Sequence, residues 1–442
     1  MPDQVQEFQF SQTFTTADSG RMFRLPFEVE ADAERIDVDF ETPRLPNLRE
    51  GDAAWRMVSI GIADPRMIRG WNTVHESRFI LAEEFGSPGA VPGPLQAGTW
   101  HVLMFPYVPE TVSGGVTARV TVRVSVRRRR FVKGDTHTHT VHSDGTISAG
   151  RVVELAAAAG LDYVFLTDHN ISSANYSLPR DSGILAAPGI EYGHRPGHMN
   201  ILGETTSVPR FLWDPESVCY ETILSSVKGG AAGAGMNHPF CTNSPWTLDK
   251  GMDFDWVEIW NGFWRPVNAK ALRWWQGELL KGRRLPVIGG SDTHHENDPL
   301  IRHGFPCTHA LVDGIRTSSL VEAFKAGHCY ITQNPEGPRL SFSSEHAVLG
   351  DLTEDRDVRI VLEGLRNGDV VGLVDDLKTT EQTVDGERFE MDFRREKESF
   401  LRVEVTRKIQ ASELVPGLDF EVWSKVLISN PMYFRHERSL WK

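Results

Sequence analysis

Between positions 116 and 126 the chain reads Val-Thr-Ala-Arg-Val-Thr-Val-Arg-Val-Ser-Val, with apolar and polar residues alternating at period two. That is the pattern of a strand with one face buried and the other wet. Shorter runs at 35–40, 56–62 and 99–105 read the same way. Turn-forming stretches separate them, such as Gly86-Ser-Pro-Gly-Ala-Val-Pro-Gly-Pro94. Short strands with frequent turn signals predict a β-sandwich over residues 1–130. Four consecutive arginines at 127–130 read as a solvated strand end at a domain joint.

The pattern changes after Phe131. Residues 148–159 predict a helix, with Ser148 as its N-cap and Gly160 just beyond its end. The apolar run Tyr163-Val-Phe-Leu-Thr167 follows. Strand-like runs at 184–190, 235–237, 257–260 and 285–288 then alternate with helical patterns at 268–280 and 318–325. Strands alternating with helices predict βα units and a mainly parallel sheet or barrel, with chemistry at the C-terminal strand ends. From about Pro335 the helical pattern stops. Runs at 357–362, 369–373 and 400–406 predict a small C-terminal β domain. The expected domains are therefore 1–130, 131–334 and 335–442.

With 442 residues, several domains and a sizeable core are expected, with no need of a disulfide or metal staple for folding alone. Lys and Arg total 47 against 60 Asp and Glu, a net charge of −13. Such a field repels phosphate backbones, which argues against a nucleic-acid scaffold. No run of about 18 apolar residues predicts a membrane span. No basic segment followed by an apolar one opens the chain, so a cytoplasmic location is expected. The four cysteines are far apart and form no CxxC, which reads as reduced thiols.

The histidines change the picture. Of 16 in the chain, 11 lie between His137 and His309. Asp135-Thr-His-Thr-His-Thr-Val-His-Ser-Asp-Gly145 places His137 and His139 on one side of an extended segment, a chelating pair for a transition metal. Five more groups follow in order: Thr167-Asp-His-Asn170, Pro188-Gly-Ile-Glu191, Gly197-His-Met-Asn200, Asn237-His-Pro239 and Gly290-Ser-Asp-Thr-His294. Singly, each has a plainer account as a helix cap or a solvated strand end. Six such groups at successive βα junctions point instead to convergence on one metal site.

This ordered set (HxHTxxSDG, TDHN, GIE, GHMN, NHP and SDTH) resembles the polymerase-and-histidinol-phosphatase (PHP) superfamily over residues 131–333. Gly70-Trp71, the 79–83 segment and the 88–100 segment are similar to the β domain before the barrel in its carbaryl-hydrolase-like branch. The resemblance implies a distorted (β/α)7 TIM-like barrel holding two or three divalent metals. It implies a first metal on His137, His139, Glu191 and Asp292. The second would sit on Glu191, His198 and His238, and the third on Asp144, His169 and His294. Six imidazoles and three carboxylates suit Mn, Zn or Fe, and are too nitrogen-rich for Ca or Mg alone.

The expected activity is hydrolysis of a small phosphate ester by a hydroxide held between the metals. A carbamate or carboxylic ester is the alternative substrate, and a non-catalytic binding module is the alternative class. Asp168 is expected to orient a ligand or hold a water. His142, His194, His295 and His303 are candidate general acids, with His194 and His303 ahead. Arg195 and Arg265 are candidate phosphate clamps. Trp246 and Trp264 are candidates for an aromatic wall around an aryl or nucleoside-like leaving group. A homo-oligomer is left open.

Overall fold

The structure, a computed structural model, describes residues 5–45, 55–72, 76–194, 196–203, 220–436 and 439–441. It divides into two compact units. One comprises Met1–Arg129 with Pro179–Leu185; the other comprises Arg130–Leu178 with Ala186–Lys442. The protein is a mixed α/β chain in which strands predominate, with four α-helices among the described residues.

The first unit is built from two four-stranded antiparallel sheets. Val116–Val126 forms one strand along its whole alternating run, flanked by Val5–Phe14 and Ala33–Glu41. Its alternate residues Val116, Ala118, Val120, Val122 and Val124 are all buried. They pack in one core with Val58, Ile60 and Ile62 of the other sheet and with Phe27 and Trp100. The period-two pattern thus dictates which face is turned inward.

Strand Arg129–Asp135, which belongs to the second unit from Arg130 on, pairs in parallel with Tyr163–Leu166. Helix Ala149–Ala158 connects them. Ser148 caps that helix by accepting from the Arg151 N–H, and Gly160 leaves it at φ 77°. Gly233–Met236, Trp256–Asn261 and Val287–Gly290 are likewise parallel neighbours. Helix Pro266–Leu280 spans the last connection. The glycine-rich stretch before Asn237 has a steric purpose: a Cβ on Gly235 would meet Trp256 Nε1 at 1.9 Å.

Two features depart from strict βα alternation. Gly197–Leu202 runs antiparallel to both Leu185–His194 and Gly233–Met236. His198 therefore opens the return strand of a hairpin, and is not at a βα junction as its motif order suggested. The sheet also continues past residue 334, from Cys329–Thr332 onto Glu421–Ser429 and Phe400–Gln410. An isolated parallel bridge joins Thr138 to Thr293, linking the chain just past Arg129–Asp135 to the chain just past Val287–Gly290. No described helix is long and apolar enough to cross a membrane.

Candidate metal centre

The residues leaving these strand ends converge. His137, His139, Glu191 and Asp292 form one group whose ligand atoms all lie within 4.8 Å of one another. His139, Asp144, His169 and His294 form a second, and His169, Glu191 and His198 a third.

Glu191 is the hub. Its Oε2 lies 3.3 Å from His137 Nε2, 3.3 Å from His139 Nε2 and 3.1 Å from His169 Nδ1. Its Oε1 lies 3.1 Å from His198 Nδ1 and 3.2 Å from His238 Nε2, and accepts from Asn237 Nδ2 at 2.8 Å. One carboxylate oxygen faces each side, the disposition a bridging carboxylate needs. Asp292 Oδ1 completes the first group, 3.3 Å from His137 and 3.1 Å from His139. Asp144 is exposed, with His169 at 3.6 Å and His294 at 3.4 Å.

The grouping departs from the sequence expectation in its sharing. His139 belongs to two groups and so does His169, while His238 meets Glu191 without joining a group of three. An alternating strand predicts which side a histidine faces, but not which neighbour it shares.

Backbone geometry supports the arrangement. Only three described non-glycine residues have positive φ: Asn170 at 56°, His238 at 25° and Asp292 at 61°. Each such residue costs on the order of 1–3 kcal/mol. Two are proposed ligands and the third follows His169. Gly290 is demanded by packing, since a Cβ there would lie 2.5 Å from His137 Cβ.

The electrostatics are those of paired acids and imidazoles. Burial pushes the Glu191 carboxyl up, but the imidazoles of His137, His139 and His198 outweigh it and hold it well below the usual range. Asp292 is held down by His137 and His139 against the same penalty. Burial opposes protonation of His139 and His238, yet the carboxylates lift both to about 9. For His169 burial prevails, and its pKa is lowered.

Several buried ring nitrogens have no hydrogen-bond partner: His137 Nε2, His139 Nδ1 and Nε2, and His238 Nδ1. Orphaned buried polar atoms are costly unless something else satisfies them. Imidazole nitrogens turned toward acidic oxygens, with no cysteine among them, fit borderline divalent cations.

Glu258 is a residue that the sequence reading missed. Its Oε1 accepts from His137 Nδ1 at 2.9 Å, which turns Nε2 toward the cluster. Its Oε2 accepts from the His238 N–H and from Asn261 Nδ2. Asn261 Nδ2 also reaches Asp292 Oδ2 at 3.2 Å. The available signal was a glutamate and an asparagine within the otherwise apolar run Trp256-Val-Glu-Ile-Trp-Asn261, every residue of which is buried.

The other sequence candidates scatter. The Asp168 carboxylate faces the Thr140–Ser143 loop: it accepts from the Thr140 N–H, Thr140 Oγ1 and Ser143 Oγ at 2.7–2.8 Å. It fixes the segment between His139 and Asp144. His303 joins none of the groups; both its ring nitrogens are buried without partners, and burial lowers its pKa. His142 bonds Ser173 Oγ and His295 bonds Thr146 Oγ1, both exposed. The His194 side chain and Arg195 lie outside the described residues. Trp246 is not a substrate wall: it is buried against Tyr220 and Phe254, 5.0 and 5.2 Å between ring centres. Trp264 is half-buried against Trp260.

No family model and no curated protein matches the chain. Among solved structures, it is similar to a two-domain protein from Bacteroides vulgatus containing a predicted PHP-like metal-dependent phosphoesterase. The identity is 17% over 67% of this chain and 96% of that one, with a TM-score of 0.38. A metal-dependent phosphoesterase candidate from Bifidobacterium adolescentis aligns at 17% identity over 38% of this chain and 90% of its own, TM-score 0.28. An amidohydrolase from Chromobacterium violaceum aligns at 13% over 37% and 88%, TM-score 0.25.

Proposed function

We propose that the protein is a metal-dependent hydrolase of small phosphate esters, of PHP type, with its centre on a distorted barrel. The observation that carries this reading is Glu191: a buried carboxylate that presents one oxygen to His137, His139 and His169 and the other to His198 and His238. Two or three divalent ions, Mn, Zn or Fe, would be held by His137, His139, Asp144, His169, Glu191, His198, His238, Asp292 and His294. When bound, such ions neutralise phosphoryl oxygens and lower the pKa of water from 15.7 to about 7.

The chain's own residues supply order. Glu258 holds the proton on His137 Nδ1, so that Nε2 is the free donor. Asn237 and Asn261 orient the Glu191 and Asp292 carboxylates. Asp168 holds the loop carrying Asp144 by accepting from Thr140 and Ser143. Asp144 is the exposed member of the set. His142 and His295, also exposed, are closer to the role of proton donor to a leaving group than buried His303.

Metal analysis of the purified protein tests this, followed by turnover of aryl phosphate mono-, di- and triesters and an aryl carbamate with added Mn or Zn. Bound transition metal and phosphate-ester turnover are expected. Absence of both would overturn the reading, and turnover of the carbamate alone would reassign the substrate.

A further inference from the structure

Two residues after His238 stands Phe240, and two ammonium groups sit over its ring. Lys250 Nζ is 5.3 Å and Lys270 Nζ 4.8 Å from the ring centre. Lys250 donates to the Trp246 carbonyl at 2.7 Å. Among the described residues neither lysine forms an ion pair, and Asp249, beside Lys250, turns its Oδ1 to the Gly251 N–H. Burial and the Lys270 charge lower the Lys250 pKa, and the Asp249 charge opposes them only in part. Two like charges at one ring repel, and cation–π attraction offsets only part of that.

A third cation borders the same place. Phe240, His238, Cys241, Glu258, Asn261 and Arg265 are among the residues lining a small cavity of about 10 Å³, room for roughly one water, and Glu258 is committed there to the His238 N–H and Asn261. Arg265 Nη2 donates to Asn261 Oδ1 at 2.9 Å, and its Nε is buried without a partner. Arg265 is also the N-cap of helix Pro266–Leu280, which has no side-chain cap and no acidic residue in its first turn. No acidic side chain of the helix's own first turn offsets the positive end of its dipole. In a chain of net charge −13, two cations over the Phe240 ring and a third lining a cavity with it, none in an ion pair among the described residues, stand close in sequence or space to one proposed metal ligand.

We propose that Lys250 and Lys270 over the Phe240 ring, with Arg265 lining the neighbouring cavity, form a subsite for a second oxyanion, a carboxylate or phosphate carried by the leaving group of the substrate. This deepens the phosphoesterase reading and rests on it: the ester is bound at the metal cluster and its distal anion at the lysines. The substrate class is then a phosphate ester with two anionic ends.

Binding of two non-hydrolysable probes to the metal-loaded protein tests the subsite without relying on turnover. Phenylphosphonate carries one anionic group and 4-carboxyphenylphosphonate carries two. Calorimetric titration should show the second probe bound about tenfold more tightly. That ratio should shrink toward one in Lys270→Gln, a change at an exposed position, and vanish in Lys250→Met combined with Lys270→Met. Equal affinities in the unaltered protein, no binding of either probe, or a ratio unchanged in both variants would overturn the subsite. Phenyl phosphate and 4-carboxyphenyl phosphate, assayed for turnover in parallel, report on the hydrolase reading separately. Probe discrimination without hydrolysis of either ester keeps the subsite and sinks the phosphoesterase.

Discussion

Two regions of the second unit bury charge, and they do so in opposite ways. Near the C-terminus, Arg407 meets Asp369 through two hydrogen bonds of 2.7 and 2.6 Å. Arg402 pairs with Glu404, which also meets Lys425 at 2.5 Å, while Gln276 accepts from Arg402 twice. Every charge there meets an opposite charge. In the His–Asp–Glu cluster, carboxylates face imidazoles at 3.1–3.3 Å, and buried ring nitrogens are left without hydrogen bonds. A complemented network is a structural element. An under-complemented one, in which donors of ligand type are left over, is suited to a cation.

The largest expected effect separates the two regions. His137→Ala or Asp292→Ala should abolish bound metal and lower activity by roughly a thousandfold or more, with the fold retained by circular dichroism. Metal at unaltered stoichiometry in either variant would remove that residue from the ligand set. Conversely, Asp369→Ala strands the Arg407 charge and should cost about 3–5 kcal/mol of stability in denaturant titrations. Its metal content should not change. A loss of metal there would mean that the regions are coupled, and the contrast would fail.

Glu258→Gln acts on metal through His137. The expected loss is about 10–100-fold in metal affinity, measured by competition with a chelator. An unchanged affinity would make Glu258 a packing residue.

The pH response sharpens the same contrast. In the chelated protein His139 and His238, lifted to about 9, contribute stability that is fully present below 6.5 and lost as pH rises through 9. Glu191 and Asp292, held down, contribute stability present above the usual carboxylate range and lost as pH falls below it. Thermal midpoints of chelated protein should thus decline from about pH 6.5 toward 9. Metal-loaded protein should gain between pH 5 and 8, because ligand imidazoles must be neutral. Parallel curves would contradict the ligand assignment. The smallest effect is at the surface: Arg388→Ala, whose partners Glu363 and Glu390 are partly exposed, should shift neither midpoint nor metal content.

Much of this was legible in the chain. The period-two run at 116–126 gave a strand with its boundaries, because alternation records burial directly. Ser148 and Gly160 marked a helix, because caps are local chemistry. The nine proposed ligands were named by residue type and order. Less legible were the positions that depend on distant partners. Trp246 looked like a loop aromatic, yet it is core, because Tyr220 and Phe254 close over it. Asp168 stood beside His169 in sequence but turns to Thr140.

The sequence by itself determined the kind of chemistry: imidazoles and carboxylates in an ordered series, with strand and helix periods that bring them to strand ends. The tertiary structure alone decided which atoms meet. Side-chain identity and local period are properties of a few adjacent residues, whereas sharing at a hub depends on strand register across more than a hundred. Glu258 reaches His137 only because parallel pairing places Trp256–Asn261 beside Val287–Gly290, whose Gly290 leaves room for both side chains. His198 reaches Glu191 only because its strand turns back antiparallel, with Gly193 opposite His198.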